Sequence, residues 1–419
     1  MKILLVSPHF YPEDFKCNDV AFELAKRGYE VTVLSDIPNY PLGKFFDGYG
    51  VSKKRKEVVQ GVTIHRVLVI PRGNGRAIRL ALNYLSFAFF ASVKAFFMAL
   101  FHKYDAILVH ETSPITVGIP ALVVKKMQQI PLYFWVLDLW PESLSAAGGI
   151  SNKRVLNFFA NIAKWIYRNS QRILISSRGF EESIKEKGDF ADKLVYFPNW
   201  ADKALLEKKE YVLPDMPQKG LKVMFAGNMG EAQDFDHIME TASLLKEEKH
   251  IHFVFVGDGR KRPWIEQVIE EKGLQETVHW VGRHPLEAMP SFFEAADIML
   301  VTLKDEPIFN LTAPAKIQAY MSAGKPIVAM MNGEGARIIE DAQCGYSAQA
   351  ANAEKLAEII LKMDALGEKA RNQMGENGKI YCKQHFDWEK CMNHLCEILE
   401  ERQMISLSTD CSSTESDFS

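Results

Sequence analysis

Thr312-Ala-Pro-Ala-Lys-Ile-Gln-Ala-Tyr-Met-Ser-Ala-Gly-Lys-Pro-Ile-Val-Ala-Met330 is the stretch of this sequence that decides the fold. Pro314 suits the first turn of a helix, because the amide proton that it lacks would have no partner there. Gly324 can adopt the left-handed conformation that ends a helix, and Pro326 prevents the helix from continuing. The apolar residues 327–329 are typical of a buried parallel strand. The segment therefore predicts a helix that ends sharply and leads into a buried strand.

The loop in front of this helix is a candidate anion site. A second apolar run, residues 296–303, lies just upstream and predicts another buried strand. In open α/β sheets, nucleotides and other anions bind at the carboxyl ends of strands, beside the N-termini of the helices that follow. Lys316 falls in the first turn of the predicted helix, where its ammonium can reach a phosphate. The alternative is a solvated lysine on an ordinary βα unit, and this one residue alone favours the alternative.

Length and composition narrow the class of protein. The chain has 419 residues, too many for one hydrophobic core, which predicts two domains. A formal net charge of −3 gives no support to nucleic-acid binding, because such domains usually carry a basic excess. The six cysteines contain no C-x-x-C pair and no zinc-site spacing, and they favour a reduced, cytoplasmic compartment. The sequence starts Met-Lys and continues directly into an apolar strand, which argues against a signal peptide.

Apolar strands alternate with helical segments along most of the chain. The strands are predicted at 2–7, 30–34, 62–69, 104–110, 130–137, 172–177 and 194–197, and then at 221–226, 251–256, 278–281, 296–303 and 327–329. This alternation predicts an α/β fold with two doubly wound sheets. The expected domains are residues 1–200 and 201–375, with a charged linker at 201–220. A helical segment at 376–405 and a disordered Ser/Thr/acidic tail at 406–419 would follow.

Glycines follow the first strand of the second half, in Gly227-Asn-Met-Gly-Glu-Ala-Gln233. Glycines at a strand-to-helix turn allow backbone amides to approach an anion. Glycines also simply make tight turns, so this motif alone is a weak signal. The loop after the first strand of the chain has no G-x-G-x-x-G, which argues against a nicotinamide or flavin site. We therefore predict no nicotinamide or flavin cofactor.

Two carboxylates end the predicted strand at 130–137, in Asp138-Leu-Trp-Pro-Glu-Ser143. Asp138 and Glu142 would lie at the carboxyl edge of a buried strand, which is a good position for chemistry. The alternative is that Glu142 and Ser143 only begin and cap the next helix.

The most apolar segment of the chain is residues 78–101, with Arg72, Arg76 and Arg79 at one end. A helix that is apolar nearly all round is either buried or in contact with lipid. Basic residues beside aromatic ones favour an interfacial helix, with a plain core helix as the second option and a spanning helix as the last. The basic run Lys53-Lys-Arg-Lys56 is usually a solvated face, and attraction to an anionic surface is the lesser option.

Several motifs resemble glycosyltransferase family 4, over about residues 1–400. They are Pro8-His-Phe-Tyr-Pro12, Leu24-Ala-Lys-Arg-Gly-Tyr-Glu-Val-Thr-Val-Leu34, Pro198-Asn199, Val256-Gly-Asp-Gly259 and Tyr320-Met-Ser-Ala-Gly-Lys-Pro326. Others are similar to the WbuB-like branch, which includes L-fucosamine transferase-like enzymes: Pro38-Asn-Tyr-Pro41, Asp138-Leu-Trp-Pro-Glu-Ser143, Gly227-Asn-Met-Gly-Glu-Ala-Gln233 and Ala315-Lys-Ile-Gln-Ala-Tyr320. The resemblance implies a GT-B fold, in which two Rossmann-like domains face each other across a cleft.

The sequence departs from the family pattern at residues that matter. Many members carry two glutamates eight positions apart, and here those positions are Leu311 and Ala319. The usual Arg/Lys pair is missing from residues 227–236, so the resemblance leaves phosphate neutralisation to Lys316, with Arg260 or Lys261. The family histidine before Asp138 is also absent, and whether Asp138 takes its role is open.

The resemblance implies metal-independent transfer of a hexose from a nucleotide sugar, with retention at the anomeric carbon. The catalytic candidates are Asp138, Lys316 and Glu142; the candidate donor-binding residues are Gly227, Asn228, Gly230, Gln233, Arg260, Lys261, Arg283, Pro314, Lys316 and Glu334. The diphosphate would lie against the Gly227–Gly230 loop and the N-terminus of the helix that holds Lys316. The base and ribose would lie near Arg283-His284-Pro285 and the loop before Pro314. Glu334 would contact the donor sugar. The alternative is that it is only a turn residue. His110, Glu111 and Asp138 would line the acceptor side.

The branch resemblance favours a UDP-linked, N-acetylated amino sugar as donor and a saccharide on a polyprenyl diphosphate as acceptor. Such an enzyme would contribute to O antigen or capsule synthesis. It would lie in the cytoplasm, on the inner face of the plasma membrane, and contact lipid through residues 72–103. A sugar-nucleotide epimerase and a non-catalytic sugar-nucleotide-binding protein are the alternatives.

Overall fold

The computed structural model describes residues 1–73, 75–148, 151–202, 205 and 211–413, and it divides into two compact units. Unit 1 comprises Met1–Ser176, Phe180–Phe197 and Met392–Ser419. Unit 2 comprises Ser177–Gly179 and Pro198–Cys391. The main boundary therefore lies between Phe197 and Pro198, three residues before the predicted one. Much of the predicted linker, residues 203, 204 and 206–210, lies outside the described residues.

Unit 1 is built on a largely parallel sheet. Its strands are β1 (Lys2–Val6), β2 (Glu30–Asp36), β3 (Lys56–Val59), β4 (Val62–Val67), β5 (Ala106–Glu111), β6 (Leu132–Val136), β7 (Arg172–Ile175) and β8 (Leu194–Tyr196). Within the described residues their order is β3-β4-β2-β1-β5-β6-β7-β8, and β3 alone runs antiparallel to its neighbour. Every residue of β5 and β6 is buried, as expected for central parallel strands. The first predicted sheet is confirmed.

Helices cover this sheet. They are α1 (Lys16–Lys26), α2 (Ala77–Phe101), α3 (Gly118–Gln128), α4 (Glu142–Gly148), α5 (Lys153–Asn169) and α6 (Phe180–Glu186). Helix α2 packs against α3 and the sheet through a row of small buried side chains, Ala88, Ala91, Ala95 and Ala99. The spacing of three or four residues puts them on one helical face, where small side chains allow close approach. The opposite face of α2 is apolar and exposed.

Unit 2 repeats the layered arrangement with parallel strands only. Its strands are β9 (Leu221–Ala226), β10 (Ile251–Val256), β11 (Val278–Gly282), β12 (Ile298–Thr302), β13 (Ile327–Met330) and β14 (Gly345–Ala348). Its helices are α7 (Phe235–Leu244), α8 (Arg262–Lys272), α9 (Met289–Ala295), α10 (Pro307–Asn310), α11 (Ala315–Ser322), α12 (Glu334–Asp341), α13 (Ala353–Ala365) and α14 (Gly367–His385). The strand order is β11-β10-β9-β12-β13-β14 in the part of the chain that the structure describes. Apolar residues fill both faces of the sheet in two buried clusters.

The segment with which the sequence analysis began folds as predicted. Helix α11 begins directly after Pro314 and ends before Gly324, which has a positive φ of 68°. Strand β13 follows and pairs with β12 in parallel. The hydroxyl of Tyr320 donates to the carbonyl of Ala226 and accepts from its amide, both at 3.0 Å. This bond pair joins α11 to the end of β9 and so brings the first turn of α11 beside the glycine loop.

The C-terminal segment is helical, as predicted. Helix α15 (Trp388–Ser413) starts in unit 2 and belongs to unit 1 from Met392 onwards. Arg27 Nη1 donates to Asn393 Oδ1 at 2.6 Å, and Arg172 Nε donates to Glu401 Oε2 at 2.9 Å. The segment at 376–405 is therefore divided between α14 and α15 rather than forming a unit of its own.

Two further expectations need correction. The first eight residues of the predicted disordered tail are helical in α15, since the sequence there contains no glycine or proline to end a helix; residues 414–419 lie outside the described residues. Strand β3 lies between the strands predicted at 30–34 and 62–69, where the sequence analysis predicted no strand. It is a short edge strand with alternating exposed and half-buried residues, so it lacks the apolar run by which buried strands are recognised.

Candidate functional site

The turn after β9 is shaped to hold a lysine side chain. Gly227 has a φ of 138°, and its amide donates to the carbonyl of Val256 at 2.9 Å. A Cβ atom at Gly227 would lie only 2.8 Å from Cε of Lys316. The Lys316 side chain therefore lies directly against the backbone of Gly227, and the positive φ at this position favours glycine. The prediction that these two motifs meet is confirmed as geometry.

A second glycine loop locks the first one in place. A Cβ atom at Gly257 would lie 2.0 Å from the carbonyl oxygen of Gly227, and one at Gly259 would lie 2.4 Å from that of Met229. The amide of Met229 donates to the carbonyl of Asp258 at 2.9 Å, and the amide of Lys261 donates to that of Met229 at 3.0 Å. The loops after β9 and β10 thus form one rigid surface at the carboxyl edge of the sheet. Because the glycines have no side chains, the backbone at these positions is open to a ligand.

Lys316 is a cation held by neutral groups. Its ammonium donates to Oε1 of Gln233 at 2.6 Å and lies 4.9 Å from the centre of the Phe225 ring. Burial lowers the pKa of Lys316 to about 8. Among the described residues no carboxylate forms an ion pair with it. A desolvated ammonium without a carboxylate is a favourable partner for an anionic ligand.

Gln233 owes its position to the loop around it. Its backbone amide donates to the carbonyl of Gly230 at 3.1 Å, and its backbone carbonyl accepts a hydrogen bond from the hydroxyl of Thr302 at the end of β12. Asn228 is exposed, and its side-chain amide lies close to Gly230. The structure therefore brings together Gly227, Asn228, Gly230, Gln233 and Lys316, five of the predicted donor-binding residues.

The two other predicted phosphate ligands are placed less favourably. The Lys261 ammonium lies 2.9 Å from Asp236 and 3.6 Å from Glu231, so two carboxylates already neutralise it. It also packs on the ring of Trp264. Arg260 is exposed and has no ion pair among the residues that the structure describes. The sequence could not reveal the pairing of Lys261, because Asp236 and Glu231 lie 25 and 30 positions away.

The predicted base and ribose region contains one structural histidine. His284 Nε2 donates to the carbonyl of Val281 at 2.8 Å, so its Nδ1 accepts the hydroxyl of Tyr211 at 3.1 Å. Arg283 next to it is exposed, and no ion pair of its side chain occurs within the described residues. Arg283 is therefore available to a ligand, whereas His284 holds the loop.

Glu334 is the first residue of α12, and its carboxylate is buried. Both oxygens accept from Arg337, from Nε at 3.0 Å and from Nη2 at 2.8 Å. Gly333 before it has a φ of 71°, and a Cβ there would lie 1.9 Å from the carbonyl of Asn310. Arg337 and Gly333 line a cavity of about 330 Å³ with Asn332 and other residues. Glu334 is thus an ion-paired residue beside a cavity, and its contact with a donor sugar stays a prediction.

In unit 1, Asp138 lies beside a buried carboxyl group. The amide of Asp138 lies 3.4 Å from Oε2 of Glu111, and Oε1 of Glu111 has no hydrogen-bond partner within the described residues. Burial, and then the charge of Asp138, raise the pKa of Glu111 well above its usual value. Burial raises the pKa of Asp138 as well, although its carboxylate accepts the Ser143 hydroxyl. Burial and the adjacent carboxyl group therefore both favour a protonated Glu111.

The loop after β5 completes this group. Ser113 has a φ of 106°, a strained value for a residue with a side chain, and its hydroxyl accepts the indole N–H of Trp140 at 3.2 Å. His110 is buried, its Nδ1 lies 3.1 Å from the Ser7 hydroxyl, and burial lowers its pKa to about 3. His110 therefore stays neutral.

Glu142 has a structural partner. Its carboxylate accepts from Lys187 and, at 2.7 Å, from the Ser183 hydroxyl, and both donors lie in or just after α6. This pair fixes the start of α4. The alternative in which Glu142 begins a helix agrees with the contacts, so its place among the catalytic candidates is the weakest of the three.

One buried cluster was missed by the sequence analysis. His9 Nδ1 donates to Glu13 Oε2 at 2.9 Å, and Glu13 Oε1 accepts the amides of Asn39 and Tyr40, both at 2.6 Å. Asp36 lies close to both side chains, and burial followed by the charge of Glu13 raises its pKa well above the usual value. The motifs Pro8-His-Phe-Tyr-Pro12 and Pro38-Asn-Tyr-Pro41 were the available signal.

His9, Glu13 and Asp36 offer three potential metal ligands within 4.8 Å of one another. The residues do not fit a resident ion well, since the His9 nitrogen carries a proton toward Glu13 and that carboxylate already accepts two amides. We interpret the cluster as the link between the loops after β1 and β2. Our expectation that the chain needs no metal stays a prediction.

Each of the two units is built on a largely parallel sheet, and in the second unit Lys316 lies among glycines at the carboxyl edge of the sheet. This arrangement defines the class of the protein, which is the GT-B glycosyltransferase fold. Family models agree unit by unit. A glycosyl transferase 4-like domain matches residues 17–200, and a glycosyl transferases group 1 domain matches residues 220–364. Each of the two compact units is therefore matched over most of its length by one glycosyltransferase family model. That the two domains face each other across a cleft stays a prediction, as does the WbuB-like branch.

Curated relatives carry related names. The chain is 30% identical over 270 residues to the probable glycosyltransferase WbjE of Pseudomonas aeruginosa, covering 59% of this chain and 65% of the relative, just under two thirds. It is 24% identical to the putative colanic acid biosynthesis glycosyl transferase WcaI of Escherichia coli K12, covering 77% and 82%.

Solved structures share the fold at low identity. Sucrose-phosphate synthase from Thermosynechococcus elongatus superimposes with a TM-score of 0.73 at 17% identity, covering 97% of this chain and 99% of that one. Anabaena HepE in complex with UDP gives 0.68 at 16% identity, covering 96% and 99%. These likenesses establish the fold alone.

Proposed function

We propose that this chain is a retaining, metal-independent glycosyltransferase of the WbuB-like branch. It would transfer a sugar from a UDP-sugar to a lipid-linked saccharide during synthesis of a bacterial surface polysaccharide. The observation that carries the proposal is the Lys316 ammonium, which lies against Gly227 with Gln233 as its neutral hydrogen-bond partner. The names of WbjE and WcaI support the reaction class and the polysaccharide context.

The proposed chemistry follows from this arrangement. As the glycosyl bond breaks, negative charge grows on the leaving diphosphate. Lys316, the amides of the Gly227–Gly230 loop and the N-terminus of α11 would stabilise that charge. Gln233 would release the ammonium to the diphosphate, and the anion would keep Lys316 protonated. These are positioned groups that need no reorganisation during the reaction.

Different observations support the proposed donor and the proposed acceptor. UDP is supported by HepE, which was solved with UDP and with UDP-glucose. The N-acetylated amino sugar rests on the branch resemblance alone. Unit 1 would bind the acceptor, with Asp138 taking the proton of the attacking hydroxyl and Glu111 holding a proton beside it.

The lipid-linked acceptor is supported by α2. Residues Ile78–Phe101 have a mean hydropathy of 1.7, which passes a length and composition test for crossing a membrane. We propose that the helix instead lies on the membrane surface, because Phe89 is 64% and Phe97 50% exposed while its alanine face is buried. Phe89→Ser, Phe90→Ser and Phe96→Ser together should weaken vesicle binding without unfolding the chain. Unchanged binding would remove this support.

The function is tested in two steps with the whole chain. A thermal-shift screen of nucleotide sugars finds the donor, since a ligand at about a hundred times its dissociation constant adds about 2.7 kcal/mol of stability. The donor found is then incubated with a panel of polyprenyl-diphosphate-linked saccharides. We expect acceptor-dependent release of the nucleotide. Donor consumption without an acceptor would point to an epimerase or another donor-modifying enzyme instead.

A non-catalytic sugar-nucleotide-binding protein is the second candidate. The observation that favours it is that Leu311 and Ala319 occupy the positions of the two family glutamates. Ala319 lies within α11 and has no polar group to offer a ligand. A donor that stabilises the chain but is turned over with no acceptor of the panel would favour this candidate.

A further inference from the structure

A basic groove lies between the β3–β4 hairpin and helix α2. It is a cavity of about 500 Å³, lined on the hairpin side by Arg55, Lys56, His65 and Arg66 and on the helix side by Phe90, Val93, Lys94 and Phe97. The hairpin contributes the end of the run Lys53-Lys-Arg-Lys56. These two residues of the run thus face α2, although twenty residues lie between Lys56 and the start of that helix.

Two of the four cations in the groove are already occupied. Arg66 is buried; it pairs with Glu57 at 2.6 Å and donates to the carbonyl of Tyr11 at 2.7 Å. Arg55 Nε donates to the carbonyl of Arg66 at 2.7 Å. These two arginines therefore hold the hairpin together and bind it to the loop after β1.

The other two cations are available. Lys56 and Lys94 form no ion pair within the described residues, and they lie on opposite walls of the groove. Both are close enough to His65 to lower its pKa, which burial, the larger cause, brings to about 4. His65 is therefore neutral near pH 7. The groove thus carries two lysine charges that have no carboxylate counter-ion within the described residues, which is a site for an anion.

The wall above these charges is apolar and open. Phe90 and Val93 are 37% and 44% exposed, and the exposed face of α2 continues on both sides of them. A free phosphate ion would gain no binding energy from this apolar wall. An anionic phospholipid fits both features, because its phosphate meets the ammonium groups while its acyl chains lie along the aromatic face.

We propose that this groove binds the phosphate headgroup of an anionic phospholipid when α2 lies on a membrane. The inference rests on the proposed membrane contact of α2 and adds a specific site to it. Because β4 ends in the groove and Arg66 binds the loop after β1, a headgroup held there would keep the carboxyl edge of the unit 1 sheet next to the lipid surface.

The test is co-sedimentation of the full chain with vesicles of phosphatidylcholine, with and without about one third phosphatidylglycerol. The groove variant is Lys56→Glu with Lys94→Glu. The matched control is Lys44→Glu with Lys53→Glu, which changes the net charge equally at exposed lysines of the same unit that do not line the groove. Each lysine near an anionic surface contributes about fivefold in binding, and the glutamates add repulsion, so the groove variant should lose at least about 30-fold and the control less than about threefold.

Three results would overturn the proposal. Equal losses in both variants would show a diffuse electrostatic attraction rather than a site. Binding of inorganic phosphate that depends on Lys56 and Lys94, without any preference for anionic vesicles, would assign the groove to a soluble ligand. The milder pair Lys56→Gln with Lys94→Gln serves if the charge reversals prevent folding. If the phenylalanine variants lose vesicle binding while the groove variant does not, the membrane contact of α2 is supported and the headgroup site is contradicted.

Discussion

In unit 2 the carboxyl edge of the sheet presents a lysine among glycines and backbone amides, whereas in unit 1 the same edge presents carboxyl groups among aromatic rings. Lys316 has no carboxylate partner in the described part of the chain, and Glu111 and Asp138 have no cationic one. The two sheets have nearly the same construction. Similar architecture therefore carries opposite chemistry, and the difference lies in the few residues that follow each strand.

This contrast assigns different tasks to the two edges. The edge of unit 2 suits an anionic leaving group, because it offers one desolvated cation and open amides. The edge of unit 1 suits a hydroxyl acceptor, because it offers a carboxylate that can take a proton. The following experiments test this division of tasks, beginning with the largest expected effect.

Lys316→Ala removes the central cation of unit 2. Turnover should fall by roughly 10²-fold or more, because the growing charge on the diphosphate loses its main partner. Steady-state kinetics with the identified donor measure the effect, and circular dichroism checks the fold. The control is Lys369→Ala, an exposed lysine of α14. Full activity in Lys316→Ala would remove unit 2's cation from the mechanism.

Asp138→Asn tests the carboxyl edge of the unit 1 sheet. If Asp138 takes the acceptor proton, the amide should lower kcat by about 10²-fold while the donor Kd stays unchanged. The Ser143 hydroxyl can still donate to the amide oxygen, so the loop should keep its shape. Kinetics together with donor titration separate the two parameters. A weakened donor Kd with normal kcat would place Asp138 in donor binding instead.

The pH dependence of donor binding reports on Lys316. Its pKa of about 8 in the free chain lies below the usual 10.5, because burial disfavours the charged form. Binding of a UDP-sugar requires the protonated ammonium, so affinity should be constant below pH 8 and fall as the pH rises through 8. From pH 7 to pH 9 the loss should be about tenfold. The same slope in Lys316→Ala would assign the titration to another group.

Glu142→Gln should have the smallest effect on catalysis. The carboxylate pairs with Lys187 and Ser183, so its loss should lower the free energy of unfolding by about 1 kcal/mol. Turnover should change less than about threefold, in contrast to Asp138→Asn. Urea denaturation and kinetics measure the two quantities. A large loss of kcat with unchanged stability would return Glu142 to the catalytic group.

The sequence predicted the layered architecture well because buried parallel strands leave an unmistakable apolar pattern. Residues 221–226 and 251–256 were predicted with their exact observed bounds, and the helix and strand after Pro314 were predicted from Gly324 and Pro326. These features depend on neighbours in the chain, so local patterns suffice. Strand β3 was missed since an exposed edge strand has no such pattern.

The site was predicted less completely because pairing between distant residues is invisible in one sequence. The proximity of Gly227 and Lys316 could be inferred from the rule that anions bind at strand ends. The neutralisation of Lys261 by Asp236 and Glu231 could not, nor could the bond between His9 and Glu13 with its links to the loop after β2. The basic run at 53–56 and the helix at 78–101 were each noted, but only the fold brings them to one groove.

The central claim is that Lys316, rather than the neighbouring Lys261, provides the charge that holds the donor diphosphate. Calorimetric titration of the identified UDP-sugar into the native chain, Lys316→Ala and Lys261→Ala tests it directly. The account predicts a Kd at least about tenfold weaker for Lys316→Ala and nearly unchanged for Lys261→Ala, whose ammonium two carboxylates already neutralise. Unweakened binding in Lys316→Ala, or a larger loss in Lys261→Ala, would contradict it.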